Sequence, residues 1–265
     1  MDSQSMTTNS SDKWTKSQVL WMQYWTPALL SFRISRIPDF RFRPGLYARL
    51  GLREREDEEL VWRPFSMASS PDADYLEFIA TLVPDGRFSV LLEKLKIGDS
   101  MCIDKAAFGF LTLDQLAPGR DLWLLATGTG IGPFVSILRD GAVWQCFENI
   151  ILVHSARLAA ELVYRDEIAV LAGKHSPGQT GARLHYLPIV TREPGATSLT
   201  GHIPQLLEDG RLEAATGCPI TVETSRFMAC GNPSMTQEVR AWLNALGFQT
   251  TRRGVHGQMA FEKYW

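Results

Sequence analysis

The feature that most constrains the fold is an apolar run that ends in three alternating glycines. Residues 122–126 read Leu-Trp-Leu-Leu-Ala, and residues 127–133 read Thr-Gly-Thr-Gly-Ile-Gly-Pro. The run predicts a strand, and Pro133 can open a helix after it because a first helical position needs no N–H group. Further apolar strands are predicted at residues 150–154, 183–190 and 227–230. Their alternation with amphipathic segments indicates an α/β domain built on a parallel sheet.

The glycine turn at 127–133 also predicts a binding site for an anion. Without side chains, the turn lets a diphosphate approach the backbone, and the helix start offers N–H groups with a partial positive charge. The spacing departs from Gly-x-Gly-x-x-Gly, however, and such a turn can be no more than a tight connection. From the spacing alone, both interpretations stay open.

The first part of the chain has a different rhythm. From Val19 to about Asp104, short apolar runs alternate with turn signals such as those at 44–45 and 84–86. This pattern is typical of a small antiparallel barrel or sandwich. The charged stretch 53–59 fits a solvated hairpin loop between two of the strands.

The last helix is the best specified element of the sequence. Asn232 is predicted as its N-cap, Pro233 as its first residue, and Gly247 marks its end. Its apolar residues fall on one face, which indicates core packing rather than contact with a ligand.

Two short motifs in the first half can also hold an anion. Residues 63–66 (Arg-Pro-Phe-Ser) offer a guanidinium, a flat ring and a hydroxyl. Because Pro64 lacks the N–H that a central strand donates, its strand is predicted at a sheet edge or bulge. Residues 86–89 (Gly-Arg-Phe-Ser) form a glycine turn that opens a short helix. Taken alone, the first motif is better explained as an edge strand with an exposed arginine, but two such motifs in one barrel weaken that explanation.

Composition excludes several classes of protein. Among the 265 residues, the four cysteines are widely spaced and form no Cys-x-x-Cys pair, which argues against a zinc ribbon, an iron–sulfur site and a disulfide scaffold. The net charge of −2 gives no basic field for nucleic acid. The polar N-terminus resembles neither a signal peptide nor an anchor, and no apolar run approaches the roughly 20 residues that cross a bilayer. We therefore expect a soluble cytoplasmic protein without a metal site, a nucleic-acid partner or a membrane partner.

Five motifs in a fixed order resemble those of the bacterial ferredoxin (flavodoxin)–NADP⁺ reductases, of the plant-type ferredoxin reductase superfamily. Residues 63–66 resemble the family's Arg-x-Tyr-Ser motif, and residues 86–89 resemble its FAD-diphosphate turn. Residues 128–133 resemble the NADP-binding turn, and residues 230–233 (Cys-Gly-Asn-Pro) resemble the motif on the nicotinamide side. The fifth motif is the aromatic C-terminal end at 261–265. The resemblance covers the chain from about Lys16 to Trp265. It implies an FAD-binding antiparallel β-barrel domain at 16–115 and an NADP-binding α/β domain with a parallel sheet at 116–265, and the polar segment 1–15 before them is predicted as a disordered tail. Within the second domain, a C-terminal tail at 255–265 is expected to reach back to the FAD.

The resemblance implies roles around the flavin. Arg63 and Ser89 hold the FAD diphosphate, Ser66 donates toward flavin N5, and Glu262 assists proton supply. Phe65 replaces the family's tyrosine, which keeps the stacking surface but loses a hydroxyl bond, so looser FAD binding is expected. The residues implied at the FAD site are Arg63, Pro64, Phe65, Ser66, Gly86, Phe88, Ser89, Tyr264 and Trp265. The last two are expected to cover the adenine or the flavin face.

Selectivity for NADP over NAD requires positive charge near the 2′-phosphate. The resemblance places Arg157 and Arg192 at the positions of two phosphate-binding arginines, and His202 stands where the family has a third. A histidine with a pKa near 6.5 is mostly neutral at pH 7 unless the phosphate raises its pKa. Cys230 is implied beside the nicotinamide, although a cysteine at a strand end is equally a small core residue. The residues implied at the NADP site are Thr127, Gly128, Thr129, Gly130, Gly132, Arg157, Arg192, His202, Cys230, Gly231 and Asn232.

The implied function is that of an FAD-dependent oxidoreductase that acts as a monomer. Hydride passes between NADP(H) and the flavin, and single electrons pass between the flavin and ferredoxin or flavodoxin, with Ser66, Cys230 and Glu262 as catalytic residues. Two alternatives share the same core: the reductase component of an oxygenase system, and a flavin-binding electron-transfer subunit without independent turnover. The sequence shows no ligand set for a cluster or a haem, and the complete pyridine-nucleotide half argues against both.

Overall fold

Two sheets organise the chain in the computed structural model, which describes residues 13–175 and 181–263. The first sheet is antiparallel with six strands, and the second is parallel with five strands and with helices packed on it. The predicted fold class is therefore confirmed. The tail residues 1–12, together with Tyr264 and Trp265, lie outside the described residues.

The antiparallel sheet holds the first part of the chain. Its elements are β1 (Trp14–Thr26), β2 (Leu29–Ser35), β3 (Tyr47–Leu52), β4 (Val61–Ser66), β5 (Tyr75–Thr81), α1 (Arg87–Lys94) and β6 (Ser100–Phe108). The strand order is β4-β3-β6-β1-β2-β5, so Pro64 lies on an edge strand, as its missing N–H requires. A bridge between Met67 and Phe78 joins the two ends of the sheet, which gives it the form of a barrel.

Strand β1 begins at Trp14 and so includes the last two residues of the predicted tail. Trp14 pairs with Asp104, and Thr15 pairs with Ile103 on β6. The Trp14 ring also packs edge-on against Trp62, with the ring centroids 6.3 Å apart. These contacts extend the strand into the segment that the sequence predicts as disordered.

The parallel sheet follows, with its strands in the order β11-β10-β7-β8-β9. Its elements are β7 (Asp121–Thr127), α2 (Gly132–Asp140), α3 (Val143–Cys146), β8 (Asn149–Ala156), α4 (Arg165–Lys174), β9 (Arg183–Val190), α5 (Ile203–Glu208), α6 (Arg211–Thr216), β10 (Ser225–Gly231), α7 (Pro233–Ala245) and β11 (Met259–Lys263). The carboxyl ends of the strands meet at one edge of this sheet, and all the residues implied at the NADP site lie at or near that edge. In open α/β sheets this edge is where ligands bind.

Helix α7 begins and ends as its sequence predicts. The Asn232 side chain accepts hydrogen bonds from the backbone N–H groups of Ser234, at 2.9 Å, and of Met235, at 3.3 Å. Gly247 closes the helix with φ +94°, a conformation that favours glycine.

Over the described ranges, no helix is long and apolar enough to cross a membrane. The four cysteines, all of them described, form no disulfide.

Candidate functional site

A cavity of about 650 Å³ opens between the barrel and the first turn of the parallel-sheet domain. The sequence-predicted residues on its wall are Arg63, Pro64, Phe65, Ser66, Gly86, Phe88, Ser89, Thr129 and Glu262. Eight of these come from the two barrel motifs and the C-terminal strand, and Thr129 comes from the glycine turn. The fold therefore brings four separate motifs to one cavity.

An aromatic cluster supports one wall of the cavity. The Phe65 ring lies 5.2 Å from that of Phe88, 6.2 Å from that of Phe32 and 6.4 Å from that of Phe78, measured between centroids. Phe32, Phe78 and Phe88 are buried. Phe65 is thus held by packing and presents apolar surface to the cavity.

Groups that can bind an anion line the same cavity. The exposed Arg63 guanidinium donates to the carbonyl of its neighbour Trp62, at 2.8 Å. Gly86 precedes helix α1, and no side chain of the described residues caps that helix. The Ser89 hydroxyl accepts from the backbone N–H of Val83, at 2.9 Å, and so fixes the turn before the helix. The Arg63 guanidinium and the free N–H groups at this helix start can both donate hydrogen bonds to an anion.

Ser66 and Glu262 form a hydrogen-bonded pair inside the cavity although they are 196 positions apart. The Ser66 hydroxyl donates to Glu262 Oε1 at 2.8 Å. Burial raises the pKa of Glu262 to about 7, and the bond from Ser66 only partly opposes that shift. Glu262 also pairs with Cys230 in the register of β11 on β10, which places it at the level of the nicotinamide-side motif.

The glycines of the turn after β7 serve packing as well as access. A Cβ on Gly130 would collide with the Cys230 carbonyl, and one on Gly132 would lie 3.2 Å from Ile79 Cγ2 on the barrel. Gly128 is exposed, has φ +53° and would meet nothing within 4 Å. Close approach therefore explains two of the glycines, while Gly128 leaves open backbone at the surface.

The turns after β7 and β10 interlock through Thr127. Its hydroxyl accepts from the backbone N–H of Asn232 at 2.7 Å. Gly231 has φ +130°, and a Cβ there would collide with Thr127 Oγ1. Cys230 is fully buried among the apolar residues under the glycine turn. Its burial keeps the interpretation as a small core residue open, and its place beside the nicotinamide stays a prediction.

Two of the implied phosphate-binding residues lie side by side at the ends of β8 and β9. The backbone N–H of Arg192 donates to the Arg157 carbonyl at 2.9 Å. Both side chains are exposed, and neither forms an ion pair within residues 13–175 and 181–263. Leu199 bridges to Ile189 and so brings the following segment, with the exposed His202, alongside β9. Two positive charges are thus free at this edge.

His154, which no sequence motif marks, lies directly beneath the glycine turn. The side chain is fully buried, and its Nε2 lies 3.2 Å from the Gly128 carbonyl oxygen. Burial lowers the pKa of His154 to about 4, and the bond to Gly128 only partly opposes the shift. In the neutral ring Nε2 therefore donates. A polar residue inside the apolar strand 150–154 was the signal that pointed to it.

Tyr47 is a second residue that the sequence did not mark. It lines the cavity, stacks on Phe108 with centroids 5.8 Å apart, and pairs with Ser66 across β3 and β4. Only the strand register places it at the site, and no motif contains it.

Comparison with known proteins agrees with this geometry. Residues 25–109 match the family model for the oxidoreductase FAD-binding domain, and residues 124–241 match that for the oxidoreductase NAD-binding domain. The chain is 40% identical over 253 residues to the flavodoxin/ferredoxin–NADP reductase of Escherichia coli (strain K12), with 95% of this chain and 99% of that protein covered. It is 36% identical to the ferredoxin–NADP reductase of Pseudomonas aeruginosa, with 93% and 95% covered. A crystal structure of a ferredoxin NADP⁺ reductase from Neisseria gonorrhoeae with bound FAD and NADP superposes with a TM-score of 0.87 at 36% identity, with 95% and 98% covered.

Proposed function

Because this chain belongs to the family of bacterial flavodoxin/ferredoxin–NADP reductases, we propose that it is an FAD-dependent oxidoreductase. It exchanges hydride with NADP(H) and single electrons with ferredoxin or flavodoxin. The observation that carries this proposal is the shared cavity, where Ser66 of the barrel, Thr129 of the glycine turn and Glu262 of the last strand meet.

The cavity residues fit FAD. A volume of about 650 Å³ lies in the range of sites for small molecules and cofactors. Phe65 supplies a rigid apolar surface for a planar ring system, and Arg63 with the uncapped start of α1 supplies donors for a diphosphate. The cavity residues therefore match the flavin ring and the diphosphate of FAD.

The edge of the parallel sheet fits NADP(H). The exposed Gly128 leaves backbone free for a diphosphate, and the free guanidinium groups of Arg157 and Arg192 suit a 2′-phosphate. Because Arg192 and Arg157 are bonded through their backbones, the two charges act on the same region. His202, on the segment alongside β9, adds a third side chain there that can donate a hydrogen bond.

Bound FAD supplies hydride acceptance and one-electron transfer, and the chain supplies position and protons. With a pKa raised to about 7, Glu262 is about half protonated at neutral pH. When Glu262 is protonated on Oε1, Ser66 can accept that proton and release its own hydroxyl proton into the cavity, because the two oxygens lie 2.8 Å apart. We therefore assign Ser66 and Glu262 to proton supply and Phe65 to ring packing. We also propose that the protein acts as a monomer in the cytoplasm, which light scattering and fractionation test directly.

The proposal is tested by cofactor content and by turnover. Purified protein is expected to carry FAD, identified after release by chromatography, and to reduce ferredoxin or flavodoxin only when NADPH is present. Protein that is purified without flavin and does not take up added FAD contradicts the proposed function.

A further inference from the structure

A polar cluster that is buried at its centre joins the barrel to the parallel-sheet domain, away from the cavity described above. We call it the junction cluster, and its residues are Ser31, Arg33, Glu77, Arg139, Tyr164 and Glu167. Glu77 lies on β5 and is 1% exposed, and Tyr164, which precedes α4, is 7% exposed. None of these residues belongs to the motifs discussed so far.

Glu77 receives donors from both domains. Tyr164 donates to its Oε1 at 2.8 Å, and Arg33 of the barrel donates to its Oε2 at 2.9 Å. Arg139, at the end of α2, reaches Glu77 Oε1 at 3.5 Å and bonds Glu167 at 2.7 and 2.8 Å. Loss of any of these donors should destabilise the junction, because it leaves the buried Glu77 charge with fewer hydrogen bonds and opposite charges around it.

Tyr164 is the residue that spans the junction. Its hydroxyl hydrogen is used on Glu77, so Ser31 must donate to the Tyr164 oxygen, at 2.9 Å, while the Trp25 ring N–H donates to Ser31 at 3.0 Å. Burial, with the Glu77 carboxylate as the next cause, raises the pKa of Tyr164 well above its usual range, so the phenol remains a donor. A directed chain of hydrogen bonds therefore runs from Trp25 and Ser31 through Tyr164 to Glu77.

The backbone of Tyr164 adds an independent observation. It has φ +62° and ψ +5°, which is the left-handed conformation. Aromatic residues avoid that region unless surrounding contacts hold them there. The phenol bonds to the barrel are such contacts, and the same conformation starts helix α4.

Helix α2 connects the junction cluster to the cofactor site. Its first residue, Gly132, abuts Ile79, since a Cβ there would lie 3.2 Å from Ile79 Cγ2. Ser136 donates to the Ser69 carbonyl at 2.7 Å, and Arg139 donates to the Ala68 carbonyl at 2.7 Å. One helix thus carries the glycine turn at one end and the junction cluster at the other, docked on the segment that follows Ser66.

We propose that Tyr164 is a positioning residue, which holds α2 in register against the barrel and so sets the distance between the nicotinamide and the flavin. This inference rests on the proposed function, because it concerns hydride transfer between the two cofactors. Arg63 and the start of α1, proposed for the FAD diphosphate, belong to the barrel, whereas the groups proposed for NADP(H) belong to the parallel-sheet domain. Loss of the Tyr164 hydroxyl should therefore slow hydride transfer more than it weakens the binding of either cofactor.

The test compares Tyr164→Phe with Tyr186→Phe in the FAD-loaded enzyme. Tyr186 is a matched control because it lies in the same domain and its buried hydroxyl has no partner among the described residues. The flavin of each protein is reduced with saturating NADPH in anaerobic stopped flow, and the Kd for NADP⁺ and the FAD content are measured separately. We expect reduction about tenfold slower for Tyr164→Phe, since small misplacements of reacting groups cost one to two powers of ten. The Kd is expected to stay within about twofold, and Tyr186→Phe is expected to match the wild type.

A second variant, Arg139→Lys, keeps the charge but loses the two-sided bonding of the guanidinium, and it should slow reduction in the same way. Wild-type rates in both variants overturn the inference, whatever their melting temperatures. A slower rate that is fully explained by a lower FAD content or by a higher Kd for NADP⁺ also overturns it, because that pattern indicates a purely structural role. If NADPH does not reduce the flavin of the wild-type protein, the proposed function is overturned as well. The wild-type trace alone distinguishes that case.

Discussion

Two groups, the half-buried Glu262 and the buried His154, make opposite contributions to the pH dependence of stability. Replacing either one should reveal the pH dependence that the other causes. The pKa of Glu262 is raised from 4.5 to about 7, and that of His154 is lowered from 6.5 to about 4. The folded state therefore holds the Glu262 proton more tightly than the unfolded state does, and its stability falls as pH rises through the window from 4.5 to 7. The folded state resists protonation of His154, so its stability falls as pH drops from 6.5 toward 4.

The magnitude follows from the size of the two shifts. Each is about 2.5 pH units, and one unit corresponds to roughly 1.4 kcal/mol, so each group contributes about 3 kcal/mol over its full window. Between pH 5 and pH 8 only part of each window is crossed, and the free energy of unfolding that each group contributes changes by about 2 kcal/mol over that range. The two contributions nearly cancel in the wild type because their signs are opposite.

The assay is urea denaturation of flavin-free protein at pH 5, 6.5 and 8, so that cofactor affinity does not enter the result. The stability of Glu262→Gln relative to the wild type is expected to rise by about 2 kcal/mol from pH 5 to pH 8. The relative stability of His154→Gln is expected to fall by about the same amount over that range. His256→Gln, at an exposed position, serves as the control. Differences that do not change with pH in either variant refute the assignment of buried, shifted groups at these two positions.

Three further predictions concern the cofactor sites. Arg63→Ala is expected to weaken FAD binding at least about tenfold, measured by flavin fluorescence on dilution, because a charge-assisted donor to the diphosphate is lost; unchanged retention contradicts that role. Replacing Arg157 and Arg192 by Ala should raise KM for NADPH while KM for NADH stays constant, and His202→Arg should lower KM for NADPH alone, because positive charge near the 2′-phosphate is lost or gained; parallel changes for both nucleotides contradict this. Gly130→Ala should lower the melting temperature and abolish reduction by NADPH, since its Cβ collides with the Cys230 carbonyl; a variant with wild-type melting temperature and rate contradicts the close packing of the two turns.

Local patterns in the sequence predicted much of the fold. The apolar run before the alternating glycines became β7, and its turn leads into α2 as expected. The cap at Asn232 sets the start of α7 because its bonds reach only two and three residues ahead. The edge position of Pro64 follows from its missing N–H. These features depend on neighbours in the chain, which a single sequence displays.

Contacts between distant segments could not be predicted in this way. Ser66 meets Glu262 across 196 positions, and Tyr164 meets Glu77 across 87. The resemblance to a known family placed Ser66 and Glu262 separately near the flavin, but no local pattern gives their hydrogen bond or the raised pKa of Glu262. The junction between the two domains left no motif at all, because its buried polar groups are spread over four elements. His154 was visible only as a polar residue in an apolar strand, and its meaning depends on the turn above it.

The most direct test of the central claim is anaerobic stopped-flow absorbance with NADPH and NADH at equal concentration. The account predicts a visible flavin band that NADPH bleaches at least about tenfold faster than NADH does, since Arg157 and Arg192 each offer the 2′-phosphate a charge-assisted bond. Equal rates would show that these two arginines do not select the phosphate. A protein without a flavin band, even after incubation with FAD, would contradict the account as a whole.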